Sequence, residues 1–185
     1  MKNIKLALII IAGVFTVTLL SVFAINSIEN KAITLEEQIN TAKSDIKVQE
    51  KRRIDLIGNL VDCVKSYDKH EYNTLKDVVA SRTSGNDTTD SDIQEVRTMI
   101  NATAEAYPKL KSDQNYKQLM NELSITENFI AEYRSNFNKQ VKSYKRYVRK
   151  FPNRQFLGFL GYNTVSYEYL NFEVSEDVPT NLFGE

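Results

Sequence analysis

The hydrophobic pattern of the chain opens with a long apolar run near the N-terminus. The residues from Leu6 to Ile25 are nearly all apolar, and no charged residue occurs between Leu6 and Ile28. Because a helix needs about 20 apolar residues to cross the hydrocarbon core of a bilayer, this run predicts a membrane-spanning helix that contacts lipid through residues 6–25. A cleaved signal peptide is the alternative, since Val22 to Ala24 resembles a processing site. The apolar run exceeds the roughly 15 residues of the longest usual signal cores, which favours the anchor.

Beyond this run, small or apolar residues return at alternating steps of three and four positions. This heptad spacing predicts one helix of roughly 40 residues, about 60 Å long. The seam turns polar only at Gln49 and Arg53. Its positions are Ile28, Ala32, Leu35, Ile39, Ala42, Ile46, Gln49, Arg53, Leu56, Leu60, Cys63 and Tyr67.

Three further helices are predicted, over roughly 71–81, from the cap at Asp90 or Ser91 to about Tyr107, and over 113–151. Pro152 ends the last of them. The predicted fold is therefore all-α, with an N-terminal transmembrane helix followed by an antiparallel four-helix bundle of two long and two short helices. We assign residues 1–27 to the anchor, 28–151 to the bundle and 152–185 to an aromatic tail packed on the bundle. Gly158 and Gly161 predict that this tail is irregular.

The two long helices carry their polar seam positions at matching heights. If Ile28 and Phe151 both lie near the membrane, an antiparallel arrangement sets Arg53 opposite Thr126 and Glu127. We predict a buried polar layer there. Its members are Gln49, Arg53, Asp55, Thr126, Glu127 and Asn128. Such a layer fixes the register of the bundle; the alternative is a site that responds to a ligand or signal.

Seven basic residues and no acidic ones lie between Lys139 and Arg154. At the membrane-proximal end of the last helix they could attract anionic headgroups. The alternative is a solvated face that also complements the negative end of its own helix. The predicted lipid-facing residues are Lys142, Lys145, Arg146, Arg149 and Lys150.

Composition excludes several classes of function. The 24 basic and 24 acidic side chains cancel, which argues against a nucleic-acid partner. A single histidine (His70) rules out the paired Glu-x-x-His ligands of di-iron bundles and the His-Glu-x-x-His metalloprotease motif. Cys63, the only cysteine, lies on the apolar seam, where a packed thiol is favoured over a nucleophile. We predict a protein without catalytic residues, metal or cofactor, and not an enzyme.

One stretch also carries a family resemblance. Residues 49–71 read Q-x-K-R-R-x-D-L-I-x-N-L-V-x-x-V-K-x-Y-x-x-H-E, which resembles the signature of the bacterial LemA family. Residues 106–111 and 115–131 continue the similarity, which covers about residues 42–172. Lys43, Gly58 and Lys145 depart from it, replacing the usual Trp, Pro and Asn. The resemblance implies a membrane-anchored helical protein, and a membrane metallopeptidase as a partner.

These observations predict a non-enzymatic single-pass membrane protein, acting as a scaffold or interaction module at the bacterial cell envelope. The alternative is a helical bundle that senses a ligand or stress and signals through its anchor. Lys2 and Lys5 favour a cytoplasmic N-terminus and an extracytoplasmic bundle. The partner would be an unknown envelope protein, and self-association into a homo-oligomer stays open.

Overall fold

The computed structural model describes residues 2–83 and 89–171, and within these ranges it contains six helices and no strand. The prediction of an all-α chain is confirmed. The helices are α1 (Lys2–Val64), α2 (Lys69–Thr83), α3 (Asp90–Ala106), α4 (Pro108–Ser112), α5 (Gln114–Arg149) and α6 (Asn153–Phe159). The predicted loop residues 84–88 and the tail beyond 171 lie outside the described residues.

Helix α1 joins the predicted anchor and the first bundle helix into one element. It runs without a break over 63 residues, a length of about 95 Å at 1.5 Å per residue. The first proline of the chain is Pro108, so nothing in α1 removes a backbone donor. Near the N-terminus α1 is long and apolar enough to cross a membrane. Its most apolar 18-residue stretch has a mean hydropathy of 2.7, and no part of that stretch is buried. This is consistent with a membrane anchor or a signal sequence.

The chain divides into two compact units, which do not follow the predicted boundaries. Unit 1 falls within residues 1–40 and 136–185, and unit 2 comprises residues 41–135. The assignment of residues 1–27, 28–151 and 152–185 to anchor, bundle and tail stays a prediction.

In unit 1, α1 packs against the C-terminal part of α5. The Tyr147 hydroxyl donates to the carbonyl of Ile28 at 3.2 Å, and the Tyr144 hydroxyl donates to Glu36 at 2.7 Å. Since the residue number rises on α1 as it falls on α5, the two helices run antiparallel here. The buried side chains of this unit are Ala32, Leu35, Ile39, Phe137, Val141, Tyr144, Val148 and Leu157.

Unit 2 has its own apolar core, to which α1 through α5 all contribute. Asp68 caps α2 by accepting from the backbone of His70 and Glu71, and it also receives the Tyr107 hydroxyl at 2.7 Å. Thr89 caps α3, where Asp90 or Ser91 was predicted. The core residues are Leu56, Ile57, Leu60, Val61, Val64, Leu75, Ile93, Val96, Ile100, Ala104, Leu110, Tyr116 and Leu123.

The prediction that the tail is irregular throughout was wrong, because residues 153–159 form α6. Leu157 is buried and gives the helix an apolar side. Gly161 has a φ of 69°, and the amide of Tyr162 donates to the carbonyl of Leu157. This is the Schellman arrangement that ends a helix on a left-handed glycine. Gly158 lies in the last turn of α6 and Gly161 marks where the helix ends, while residues 162–171 are extended or irregular as predicted.

Candidate functional site

Arg53 is the most buried charged residue in the described part of unit 2. Only 3% of its surface is exposed, because its seam position on α1 faces the other helices. Its Nη1 atom donates to Oδ1 of Asp90 at 3.0 Å and to Oε2 of Glu127 at 3.3 Å. One guanidinium nitrogen therefore links α1 to the first residue of α3 and to the middle of α5.

A second arginine reaches the same carboxylate. Arg134 of α5 donates from Nη1 and Nη2 to both carboxylate oxygens of Asp90, and from Nη2 to Glu50 at 2.9 Å. We call these five residues (Glu50, Arg53, Asp90, Glu127 and Arg134) the polar cluster. With three carboxylates and two guanidiniums, it carries a formal charge of −1.

The electrostatics of the polar cluster centre on Asp90. Its hydrogen bonds to Arg134, and then to Arg53, lower the pKa of its carboxyl group despite partial burial. The same carboxylate, with Glu50, raises the pKa of Arg134. Both shifts favour the ionised forms of Asp90 and Arg134, the two residues joined by two hydrogen bonds.

Uncharged groups complete the surroundings of Arg53. Thr126 is buried, and its hydroxyl donates to the carbonyl of Glu122 one turn earlier at 2.9 Å. Oε1 of Gln49 and Nε of Arg53 are buried without a hydrogen-bond partner among the residues that the structure describes. An unpaired buried polar atom costs free energy. A bound group that formed a hydrogen bond with either of these two atoms would therefore stabilise the protein most.

Two residues of the predicted polar layer lie elsewhere. Asp55 is exposed and pairs with Lys51 on the same helix at 3.5 Å, while Asn128 is exposed on α5. The reason is helical geometry. Two positions along an α-helix correspond to about 200°, so Asp55 and Asn128 point away from the direction of Arg53 and Thr126. Gln49 is half-buried and Glu127 is 30% exposed at its side chain.

Sequence reasoning missed Asp90, Arg134 and Glu50. Asp90 was assigned to a helix cap, and the comparison of heights covered only the two long helices. A signal was present for the other two, because Glu50 precedes Arg53 by three positions and Arg134 follows Glu127 by seven. Both spacings keep charges on one helix face.

Cys63 lies beside a cavity of unit 2 of about 480 Å³. Burial, followed by the nearby Asp113 and Asp62, raises the pKa of its thiol. Since the thiolate is the nucleophile, a raised pKa lowers the fraction of thiolate and slows the reaction of this side chain at neutral pH. The cavity is lined by Asn59, Asp62, Cys63, Ser66, Tyr67, Asp113, Asn115 and Leu119.

The predicted lipid-facing basic residues lie together in unit 1. Lys142, Lys145, Arg146, Arg149 and Lys150 all line one open groove with Tyr169, and all except the half-buried Lys145 are exposed. The ammonium group of Lys145 lies 4.3 Å from the centre of the Tyr169 ring. Among residues 2–83 and 89–171, no group of three or more His, Cys, Asp or Glu side chains could hold a metal ion.

Comparison with known proteins matches the part of the chain that contains the polar cluster. The model of the LemA family matches residues 42–181, about three quarters of the chain, including all five cluster residues. The chain belongs to the LemA family. It is also similar to Protein LemA of Metamycoplasma hominis, at 27% identity over 132 residues. That alignment covers 66% of this chain and 60% of the relative, so the chain spans less than two thirds of the LemA protein it matches.

Proposed function

We propose that this LemA-family chain is a non-enzymatic, single-pass membrane protein that acts as a scaffold or protein-interaction module at the bacterial cell envelope. The anchor is the apolar part of α1, in which no residue of described burial is buried by the rest of the described chain. The polar cluster has a structural role, since its ion pairs tie α1, α3 and α5 together.

The observation that carries the proposal is an apolar strip on the outside of α5 in unit 2. Ile125 and Phe129 are 43% and 42% exposed, and the Phe129 ring lies 6.5 Å from that of Tyr133. These residues follow one another at four-residue steps, so they form a continuous surface. Apolar surface that stays exposed, as this strip does among the residues that the structure describes, is typical of interaction sites. The partner is an envelope protein that presents a complementary apolar face, with a membrane metallopeptidase as the candidate that the family resemblance supplies.

Site-specific photocrosslinking in intact cells tests this role. Benzoylphenylalanine at Ile125 or Phe129 should capture the same partner, identified by mass spectrometry. Ser124 and Ala131 serve as matched controls, because both are exposed on α5 but lie about 100° or more around the helix. If no protein is captured at any of the four positions, or if the control positions capture the same proteins as the strip positions, the strip is not an interaction surface. Capture of a second copy of the chain would identify a homo-oligomer.

A ligand- or stress-sensing bundle is the second candidate. Its support is the pair of buried, unpartnered atoms, Oε1 of Gln49 and Nε of Arg53. A cavity of about 540 Å³ also lies between α1 and α2, but it is lined by Asp55 and not by Gln49 or Arg53. A small-molecule screen by thermal shift distinguishes the two roles. Ligands whose stabilising effect disappears in Gln49→Leu would favour the sensor.

The proposed orientation sets the N-terminus in the cytoplasm and the folded units outside. Labelling intact cells with a membrane-impermeant maleimide tests it. The probe is an exposed cysteine at Ser66 in a Cys63→Ser background, since Cys63 itself should react slowly. Labelling of Ser66→Cys only after the cells are broken would reverse the orientation.

A further inference from the structure

Unit 1 contains a second cavity where α5, α6 and the start of the tail meet, next to the open basic groove, with which it shares Lys145 and Arg149. Its volume is about 340 Å³. Three basic side chains line it: Lys145 and Arg149 from α5, and Arg154 from α6. In the part of the chain that the structure describes, none of the three forms a salt bridge with a carboxylate. The remaining wall consists of Tyr144, Val148, Leu157, Gly158, Tyr162, Thr164, Val165 and Ser166.

The cavity is held in shape by the tail. The Tyr162 hydroxyl donates to Glu36 at 2.5 Å, and the amide of Val165 donates to the Tyr144 hydroxyl at 3.1 Å. Further along, Asn138 exchanges two hydrogen bonds of 2.9 Å with the backbone of Leu170. These contacts fix the chain that carries Thr164 and Ser166 against α5. The site is therefore built from three segments and does not depend on one flexible side chain.

The chemistry of the lining fits a phosphate group. Two guanidiniums and one ammonium supply positive charge, and guanidinium forks match phosphate oxygens in geometry. The hydroxyls of Thr164 and Ser166 can donate further hydrogen bonds. The apolar side chains of Val148, Leu157 and Val165 give the cavity a second, non-polar side, which suits an ester of phosphate better than the free ion.

The position of the cavity indicates where that phosphate comes from. Tyr147, on the same turn of α5 as Lys145 and Arg149, contacts Ile28 of α1. Ile28 follows the end of the apolar run at Ile25 by three residues, or about 4.5 Å along the helix. This placement rests on the membrane anchor of the proposed function: with α1 anchored through its apolar run, the cavity lies at the height of the lipid headgroups.

Exposed aromatic residues at the same end of unit 1 support a lipid source. Phe151 is 75% exposed and Phe159 is 84% exposed, on either side of the basic Arg154. Aromatic and basic side chains that lie together at the membrane boundary are typical of segments that enter the headgroup region.

We propose that this cavity binds the phosphate of an anionic lipid headgroup in the membrane that α1 spans. Lys145, Arg149 and Arg154 contact the phosphate oxygens, and the tail closes over the headgroup. Bound lipid would then hold unit 1 against the bilayer surface.

Native mass spectrometry of the full chain in dodecyl maltoside micelles tests the proposal, with added phosphatidylglycerol or phosphatidylcholine. The wild-type chain should retain one phosphatidylglycerol molecule in preference to phosphatidylcholine. Arg149→Gln with Arg154→Gln should weaken this binding by about tenfold or more, since each basic residue near an anionic surface contributes about 1 kcal/mol. Lys142→Gln with Arg146→Gln is the matched control. It removes the same charge from exposed positions that line the groove but not the cavity.

The outcomes separate three cases. Loss of phosphatidylglycerol in the cavity variant alone supports the lipid site. Equal retention of both lipids, together with a rise in melting temperature in inorganic phosphate that the cavity variant loses, supports the phosphate site but moves its source to solution. Equal weakening in both double variants, or in neither, overturns the proposal, because binding would then follow net charge rather than the cavity.

Discussion

Arg53 and Glu127 form an ion pair across unit 2, with Nη1 of the arginine 3.3 Å from Oε2 of the glutamate. The two residues are 74 positions apart, on helices that run antiparallel. The arginine side chain is 4% exposed and the glutamate 30%, so the positive charge depends on its partners more than the negative charge does. Removing a carboxylate leaves a buried cation short of a partner, which costs more than removing a pair of opposite charges.

We expect Arg53→Met to lower the free energy of unfolding by about 2–3 kcal/mol. This is below the roughly 3–5 kcal/mol lost from fully buried pairs, because Glu127 and Asp90 keep contact with water. Glu127→Met alone should be destabilising too, and the double variant should be more stable than the sum of the single effects implies, by about 1 kcal/mol. Urea unfolding of the full chain in detergent measures all four corners of the cycle.

The exposed pair Lys51 and Asp55 provides the control for that cycle. It lies on the same helix, with side chains that are 78% and 60% exposed, and its contact is 3.5 Å long. Exposed pairs of this kind contribute little, so the Lys51→Met and Asp55→Met effects should add. If the effects of Arg53→Met and Glu127→Met also add, the two residues are not coupled and the ion pair does not hold the helices together.

Asp90 should make the stability of the protein depend on pH in the acidic range. Because its pKa is lowered in the folded state, its ionised form contributes stability above the usual Asp value near 4, and this contribution is lost as the pH falls through the lower folded value. Wild type should therefore exceed Asp90→Asn in stability at pH 7, and the difference should shrink progressively below about pH 4.

The background variant Arg134→Gln separates this effect from other carboxylates. Arg134 is the largest cause of the lowered pKa, so Asp90→Asn in that background should cost less at pH 7 and its cost should change less with pH. An unchanged pH dependence after Arg134→Gln would assign the acid sensitivity to another residue.

The polar cluster shows how much of the site can be predicted from the sequence. The two heptad seams placed Arg53 opposite Thr126 and Glu127 because both seams turn polar at one height, and the contact with Glu127 lies there in the structure. Asp90 could not be placed in the same way. A short helix has no seam long enough to fix its height against its neighbours, and an aspartate at a helix start fits a cap equally well.

The tail illustrates a different limit. Local composition around Gly158 and Gly161 indicates a chain that stops being helical, and it does stop there. What composition does not report is the burial of Leu157, which stabilises the two helical turns of α6. The length of α1 was underestimated for a related reason, since a change from apolar to polar surroundings alters which face is buried but need not break the backbone.

Cys63 should react slowly with maleimide at neutral pH. Burial raises the pKa of the thiol, and the carboxylates of Asp113 and Asp62 add to this, so little thiolate is present. Asp113→Asn should increase the labelling rate, because it removes one negative charge while keeping the Oδ1 acceptor that caps α5 through Tyr116. The labelling rate is followed by mass spectrometry over time.

Ser66→Cys in a Cys63→Ser background is the reference for an exposed thiol lining the same cavity. It should label much faster than the wild-type Cys63. Equal rates for the two cysteines would contradict a half-buried thiol with a raised pKa and would favour the nucleophilic role for Cys63.

The hydrogen bond of Tyr162 should be the main side-chain contact that holds the tail in place. Its hydroxyl donates to Glu36, and burial together with that carboxylate raises its pKa, so it remains a donor at pH values where an ordinary tyrosine ionises. The contribution is present below the usual value near 10 and is lost only as the pH rises through the higher folded value. Tyr162→Phe should therefore speed hydrogen exchange at the amides of Val165 and Leu170 by roughly fivefold, the equivalent of about 1 kcal/mol for one hydrogen bond.

Tyr169→Phe is the matched control for that measurement. It removes a hydroxyl from the same segment but leaves an aromatic ring for the contact with Lys145. Exchange at Val165 and Leu170 should stay at the wild-type rate in this variant. Glu36→Gln should fall between the two tyrosine variants, because an amide oxygen still accepts from Tyr144 and Tyr162 but without the charge that strengthens both bonds. Equal exchange rates in Tyr162→Phe and Tyr169→Phe would show that the tail is held by its backbone contacts with Asn138, and not by the carboxylate of Glu36.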